Sequence, residues 1–216
     1  MSTSEVPYVQ IGEDFLKVRV MEDDNSCLFR AVAYSILRDV DAMFELRQIV
    51  ATAIRENPEE YSDAILGKKR QEYISWILRE NSWGGAIELS ILSNHFKVTI
   101  CSLDVSSSRI DYFNPGCNTF VIVLYSGIHY DAVALSPIVE DIDAAELDTT
   151  VFEADEHGAK VQEALKVLGQ KLKSQHYYTD TATFQLKCNR CGAILTGEKG
   201  ATLHATQTGH VDFGEV

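Results

Sequence analysis

The stretch Asp23-Asp24-Asn25-Ser26-Cys27-Leu28-Phe29 runs from a polar turn directly into an apolar segment. From Cys27 onward Leu28, Phe29, Val32 and Ile36 recur at helical spacing, which predicts a helix with Cys27 near its start. The first amides of a helix are unpaired and carry the positive end of its dipole, so a thiol there is favoured as thiolate. Further along, Gly127-Ile128-His129-Tyr130-Asp131 sets an imidazole at the mouth of a strand, with a carboxylate two residues on. Such an imidazole can activate a thiol and later hand its proton to a leaving amine. Together the two segments have the layout of a cysteine hydrolase.

Each residue also has a plainer reading. Cys27 could be a buried structural cysteine, since free cysteines are among the most buried residue types. Against that, its own turn is polar and offers consecutive backbone amides of the kind an oxyanion requires. Asp131 could be a surface residue on an edge strand. Residues at i and i+2 of a strand share a side, however, so Asp131 can hold one nitrogen of His129 while the other faces the thiol. Asp24 is a second candidate for charge stabilisation, or a helix-capping residue that assists Cys27 indirectly. Cys101, in an apolar strand, and Cys117, in a turn, lack that setting. Trp83-Gly84-Gly85 is either a packing device, with glycines closing under the indole, or a wall of a substrate channel.

Working outward, Phe15–Val20 alternates as a half-buried strand does, and residues 1–15 read as a tail. Helices are predicted over Phe44–Arg55, Arg70–Arg79 and Ala86–Phe96, the first stopped by Asn57-Pro58. The period then changes to short strands at Val98–Leu103, Ile110–Phe113, Phe120–Tyr125 and Tyr130–Leu135. Helices first and strands afterwards predict an α+β catalytic domain over 16–137, with the thiol on the helical half and the histidine on the sheet. Residues 138–180 follow as an acidic connector and packing helix. Between Ile138 and Glu156 stand acidic residues at 140, 141, 143, 146, 148, 153, 155 and 156 with no Lys or Arg, which reads as a solvated connector. A helix over Ala159–Lys173, with Val161, Leu165, Leu168 and Leu172 on one face, is expected to pack back on the first domain.

Residues 181–216 carry Cys188-x2-Cys191, twelve residues, His204, five residues, His210. Two thiolates and two imidazoles at that spacing suit one tetrahedral, structural Zn2+ in a small ββα finger. So short a segment has too little core to fold alone, and metal binding would be much of its folding energy. Its Lys187, Arg190 and Lys199 are cancelled by Glu198, Asp212 and Glu215, which disfavours a nucleic-acid finger.

The 216 residues carry a formal net charge of -13, which argues against affinity for phosphate backbones and suits a basic protein partner. No apolar run reaches membrane-spanning length, and Met1–Gln10 lacks the basic start and apolar stretch of a signal peptide. Five cysteines without a secretory signal read as reduced thiols: one nucleophile, a metal pair and two bystanders. These features predict a cytoplasmic protein, with the nucleus open to it, and neither membrane nor nucleic acid as partner.

Asp24-Asn25-Ser26-Cys27-Leu28-Phe29, Trp76-Ile77-Leu78, Ser82-Trp83-Gly84-Gly85-Ala86-Ile87-Glu88, Gly127-Ile128-His129-Tyr130-Asp131 and Thr208-Gly209-His210-Val211-Asp212-Phe213 together resemble the ovarian-tumour (OTU) family of deubiquitinating cysteine proteases. The subgroup with a C-terminal Cys2His2 finger, which acts in endoplasmic-reticulum-associated degradation, is the nearest match. The resemblance implies a papain-like OTU fold and thiol-dependent hydrolysis of isopeptide bonds at the C-terminal glycine of ubiquitin, with no cofactor for catalysis. It implies Cys27 as nucleophile, His129 as base, Asp131 as histidine orienter and Asp24 in the oxyanion loop. Ile128 would line the groove for the ubiquitin tail, and Trp83 and Gly84, read as a channel wall, are the further substrate-binding candidates. The segment before Gly67-Lys68-Lys69 and the turn near Ser106–Arg109 would hold the body of ubiquitin. Partners implied are ubiquitin and polyubiquitin chains. A hexameric AAA unfoldase also comes into view, although better-known members dock on it through an N-terminal ubiquitin-like domain, where this chain has about 15 residues. The reading from another class is a non-catalytic, zinc-dependent ubiquitin-binding module.

Overall fold

The computed structural model describes residues 6–139, 143–180, 185–210 and 213–215. The acidic positions 140 and 141 and the start of the finger at 181–184 lie outside that set.

The main sheet has strand order β1-β2-β6-β5-β3-β4: β1 (Tyr8–Ile11), β2 (Asp14–Arg19), β3 (Thr99–Asp104), β4 (Arg109–Phe113), β5 (Thr119–Tyr125) and β6 (Tyr130–Ser136). A two-residue β7 (Phe152–Glu153) adds to β5. Pairing is antiparallel except between β3 and β5. The helices α1 (Cys27–Leu37), α2 (Met43–Glu56), α3 (Asp63–Leu66), α4 (Arg70–Ile77) and α5 (Ala86–Phe96) precede β3 in the chain. α6 (Glu156–Ser174) follows β7.

Alternation along the strands splits the core into two layers. Ile100, Val121, Val123, Ala132 and Ala134 join the helical layer with Phe29, Leu46 and Ile77. Cys101, Leu103, Ile122, Leu124, Val133 and Leu135 face the other way, onto Val161, Leu165, Leu168 and Leu172 of α6. The central strands are therefore apolar on both faces, and α6 packs on the first domain as its stripe predicts. Gly158 makes that possible: its amide is capped by Asp155 Oδ1 at 2.9 Å, and a Cβ there would stand 2.0 Å from the Glu153 carbonyl oxygen.

Two expectations are corrected. Residues 1–15 are not wholly a tail, because Tyr8–Ile11 pairs with β2 and Lys171 Nζ of α6 donates to the Tyr8 carbonyl at 2.9 Å. The acidic connector is only partly solvated. Asp148 is buried, taking Arg19 Nε at 2.6 Å and Nη2 at 2.8 Å together with the Tyr34 hydroxyl, and Thr149 bridges Leu135. Those bonds tie the segment after the short 3-10 turn Asp143–Leu147 to both β2 and α1.

The finger comprises β8 (Gln185–Cys188), β9 (Ile194–Thr196), α7 (Gly197–Thr208) and β10 (Phe213–Glu215). It exceeds the expected ββα pattern by one strand: β10 pairs antiparallel with β8, opposite Cys188.

Candidate active site

Cys27 occupies the first turn of α1. Ser26 precedes it as N-cap without a side-chain cap. The turn is braced instead by Asp24, whose Oδ1 accepts the Ser26 N–H at 3.0 Å and whose Oδ2 accepts Arg30 Nε and Nη2 at 2.9 and 2.8 Å. Burial would raise this carboxyl, but the bonds from Arg30 and Ser26 outweigh it and hold it below the usual range. These bonds make Asp24 a brace of the loop before Cys27.

His129 lies on the turn between β5 and β6, fixed by Ser126 N–H and Oγ, both donating to its carbonyl. Its Nε2 stands 3.1 Å from Asp131 Oδ1, which leaves Nδ1 for the sulfur of Cys27. Hydrogen bonding to Asp131 first, and to Cys27 second, raises the imidazole to about 10, so the ring is held as imidazolium through neutral pH. The sulfur also accepts the Tyr130 N–H at 3.4 Å.

Asp131 is 0% exposed, which excludes the edge-strand reading: β6 runs between β2 and β5, inside the sheet. Its Oδ1 accepts the Met21 N–H at 2.8 Å and its Oδ2 the Tyr177 hydroxyl at 3.0 Å. Tyr177 belongs to the segment after α6, tied back by its N–H to the Leu172 carbonyl. Nothing local in His176-Tyr177-Tyr178 signals that role.

The other thiols differ from Cys27. Burial pushes Cys101 up to about 12. Cys117 sits in its turn against the Asn114 carbonyl.

The groove candidates fall on either side. Ile128 is half-buried beside His129. Trp83 is 56% exposed, so it is no packing anchor, and its Nε1 donates to Asn25 Oδ1 at 2.6 Å. Gly84 does serve packing: a Cβ there would meet Leu28 and Phe29 at 3.1 Å. Arg47 of α2 is the second residue the sequence reading missed. It lies on the stripe formed with Val50, Ala51 and Ile54, and a charge on an apolar stripe is the signal that marks it as buried.

In the finger, the ligand atoms of Cys188, Cys191, His204 and His210 all lie within 4.8 Å of one another. Cys188 Sγ is 3.6 Å from His210 Nδ1, and Cys191 Sγ is 3.4 Å from His204 Nε2. With zinc–sulfur near 2.3 Å and zinc–nitrogen near 2.0 Å, a tetrahedral edge is about 3.5 Å, so the donors fit structural zinc.

A thiol at a helix start, an imidazolium against it and a buried carboxylate behind define a papain-like cysteine protease centre on an α+β scaffold. Residues 22–128 match the OTU-like cysteine protease family, and residues 182–216 match the family "Ubiquitin thioesterase OTU1, C-terminal C2H2-type zinc finger". An Arabidopsis thaliana protein named "OVARIAN TUMOR DOMAIN-containing deubiquitinating enzyme 2" is 40% identical over 94% of this chain and 99% of its own. A Schizosaccharomyces pombe relative is 47% identical over 99% of this chain, which spans 63% of that relative's length. The solved structure of an ovarian-tumour domain in complex with ubiquitin superimposes with a TM-score of 0.73 at 33% identity, covering 83% of this chain and all of that one. The chain belongs to the OTU family of cysteine proteases, in the branch that carries this C-terminal finger.

Proposed function

We propose that the chain is a deubiquitinase, hydrolysing isopeptide bonds at the C-terminal glycine of ubiquitin with Cys27 as nucleophile. The observation that carries this is the run of contacts from the Cys27 sulfur through His129 to buried Asp131. The Cys27 thiolate attacks the scissile carbonyl and a tetrahedral oxyanion forms. The imidazolium of His129 then gives its proton to the leaving lysine amine. The resulting thioester is cleaved by water that His129 deprotonates, which restores the starting charges. Asp131 keeps the ring oriented, and Met21 and Tyr177 keep Asp131 in place. Ile128, next to His129, and Trp83, bonded to Asn25 of the turn before Cys27, would line the path of an extended ubiquitin tail, and the segment before Gly67–Lys69 and the turn near Ser106–Arg109 would hold its body. The similarity to a ubiquitin-bound OTU domain supports this substrate class.

Protein quality control at the endoplasmic reticulum, in a cytoplasmic or nuclear setting, is the finer reading. It rests on the resemblance to the finger-bearing subgroup, as does partnership with a hexameric AAA unfoldase. A ubiquitin C-terminal electrophile should label the wild-type chain covalently, C101S and C117S should keep that adduct, and C27S should lose it. Binding of ubiquitin without adduct or turnover in the wild type would instead establish the non-catalytic module.

A further inference from the structure

Arg47 is a fully buried guanidinium that no carboxylate hydrogen-bonds. Its Nη1 donates to the Ile77 carbonyl at 2.9 Å. Its Nη2 faces Ser26 Oγ at 2.9 Å, the Ser82 carbonyl at 2.9 Å, the Glu80 carbonyl at 3.0 Å and, at longer range, the Asn25 carbonyl at 3.4 Å. Its Nε has no partner and the guanidinium stacks 4.1 Å over the Phe29 ring. Burial without a hydrogen-bonded carboxylate is costly enough to lower the pKa of the group, and a methionine of similar volume would fill the site without that cost. Stability alone therefore does not account for an arginine here.

Its acceptors come from two places: residues 25–26, immediately before the nucleophile, and residues 77–82, which run from the end of α4 into Trp83. Trp83 then reaches back to Asn25 Oδ1 at 2.6 Å, closing a circuit through Arg47, Ser82, Trp83, Asn25 and Ser26. Asn25 has φ 66, a left-handed backbone that Asn tolerates better than most side chains. Among the described residues the N–H groups of Asn25 and Cys27 meet no acceptor, whereas the Ser26 N–H is taken by Asp24. The Cys27 N–H points out of the helix start, as the first amides of a helix do.

We infer that Arg47 and Trp83 are positioning residues for the oxyanion: gripping Asn25 at its carbonyl and its side chain, they fix the turn that presents the free Asn25 and Cys27 amides. The inference rests on the hydrolase reading above. It assigns Trp83 a task beyond lining the groove and gives buried Arg47 a task in catalysis through other residues.

The test separates chemistry that develops an oxyanion from chemistry that does not. Hydrolysis of a ubiquitin C-terminal ester passes through one, while displacement by iodoacetamide at Cys27, followed by peptide mass spectrometry, does not. R47M is expected to lower kcat on the order of 10- to 100-fold with KM within about threefold, and alkylation within about twofold of wild type. W83F, which keeps the exposed ring but removes its N–H, is expected to lower kcat about three- to tenfold, again without loss of alkylation. W83F does not put the fold at risk, so it decides the matter should R47M not fold. Unchanged kcat in W83F, a change in KM alone, or alkylation falling in step with turnover would overturn the inference. Wild-type protein that alkylates but turns over no ubiquitin ester would sink the hydrolase reading itself.

Discussion

The catalytic centre and the finger are organised by opposite means. The finger gathers its four ligands from one stretch, Cys188 to His210, and holds them around a point where their donors lie within 4.8 Å of one another. The catalytic centre draws Met21, Arg47, Asp131 and Tyr177 from positions far apart in the chain and binds them with hydrogen bonds inside a packed core. A metal supplies a few strong bonds that a small unit cannot replace by packing. The larger domain spreads the same task over many weak bonds, each of which depends on the fold being complete. Loss of metal should therefore be a local catastrophe, while single changes near Cys27 should grade from severe to slight.

The largest effect expected is from metal removal. A strong chelator should abolish order over 185–210, because structural zinc contributes on the order of 10 kcal/mol to units of this kind. Amide exchange should show protection lost in β8, β9 and α7 and retained in β3, β5 and β6. Equal loss in both regions would show that the finger also supports the catalytic domain, and the contrast would fail.

Asp131→Asn comes next. The amide keeps the shape but not the charge that orients and stabilises the imidazolium, so kcat should fall on the order of 10^2- to 10^4-fold, a barrier increase of roughly 3–5 kcal/mol. The sign with pH is definite. His129 titrates at about 10 when folded against 6.5 unperturbed, so the stabilisation from its charge is complete below about pH 6.5 and is lost as pH rises towards 10. D131N should bring the alkaline limb of kcat/KM to lower pH, read from a pH–rate profile. An unmoved limb would assign the raised value to Cys27 alone.

What the sequence revealed follows the same division. Cys27, His129 and the zinc ligands stand out because their chemistry is written in short spacings, and the α6 stripe shows because helical period is local. Asp131 gained its weight from being two residues from His129, yet its burial depended on β6 running between β2 and β5, a fact of topology. Tyr177 left no local trace, since its role arises only when α6 folds back across the sheet. Asp148 was misread for the same reason: an acidic run looks solvated until β2 brings Arg19 to one member of it. β1 was missed because Tyr8–Ile11 is too short to show a period.

Asp148 offers a test of the packed side of the contrast away from the chemistry. Asp148→Ala would strip the buried Arg19 of two short bonds, and the Tyr34 hydroxyl of an acceptor. A buried cation left without its carboxylate costs about 3–5 kcal/mol. Denaturant unfolding should show a loss of about 3 kcal/mol with kcat near wild type in the folded protein. A loss below about 1 kcal/mol would mean that Arg19 finds other partners, and that the 143–153 segment is held by Phe152 and the Thr149 bridge instead.

The smallest effect is the sharpest probe of how far the two regions depend on each other. Tyr177 follows α6, on the stretch leading to the finger, and among the described residues its hydroxyl alone donates to Asp131 Oδ2. Burial, first, and the Asp131 charge raise its own pKa, so it remains a donor at any working pH. Tyr177→Phe deletes the hydroxyl and little volume, leaving a buried carboxylate oxygen one donor short, at a cost of about 1–2 kcal/mol. The Met21 N–H and His129 still hold Oδ1, so the carboxylate should loosen rather than leave. kcat should therefore fall about three- to tenfold with KM unchanged, and Asp131→Asn combined with Tyr177→Phe should be no worse than Asp131→Asn alone, because both act through one group. Full additivity in that double variant would mean that Tyr177 acts by stiffening the segment after α6 rather than through its hydroxyl.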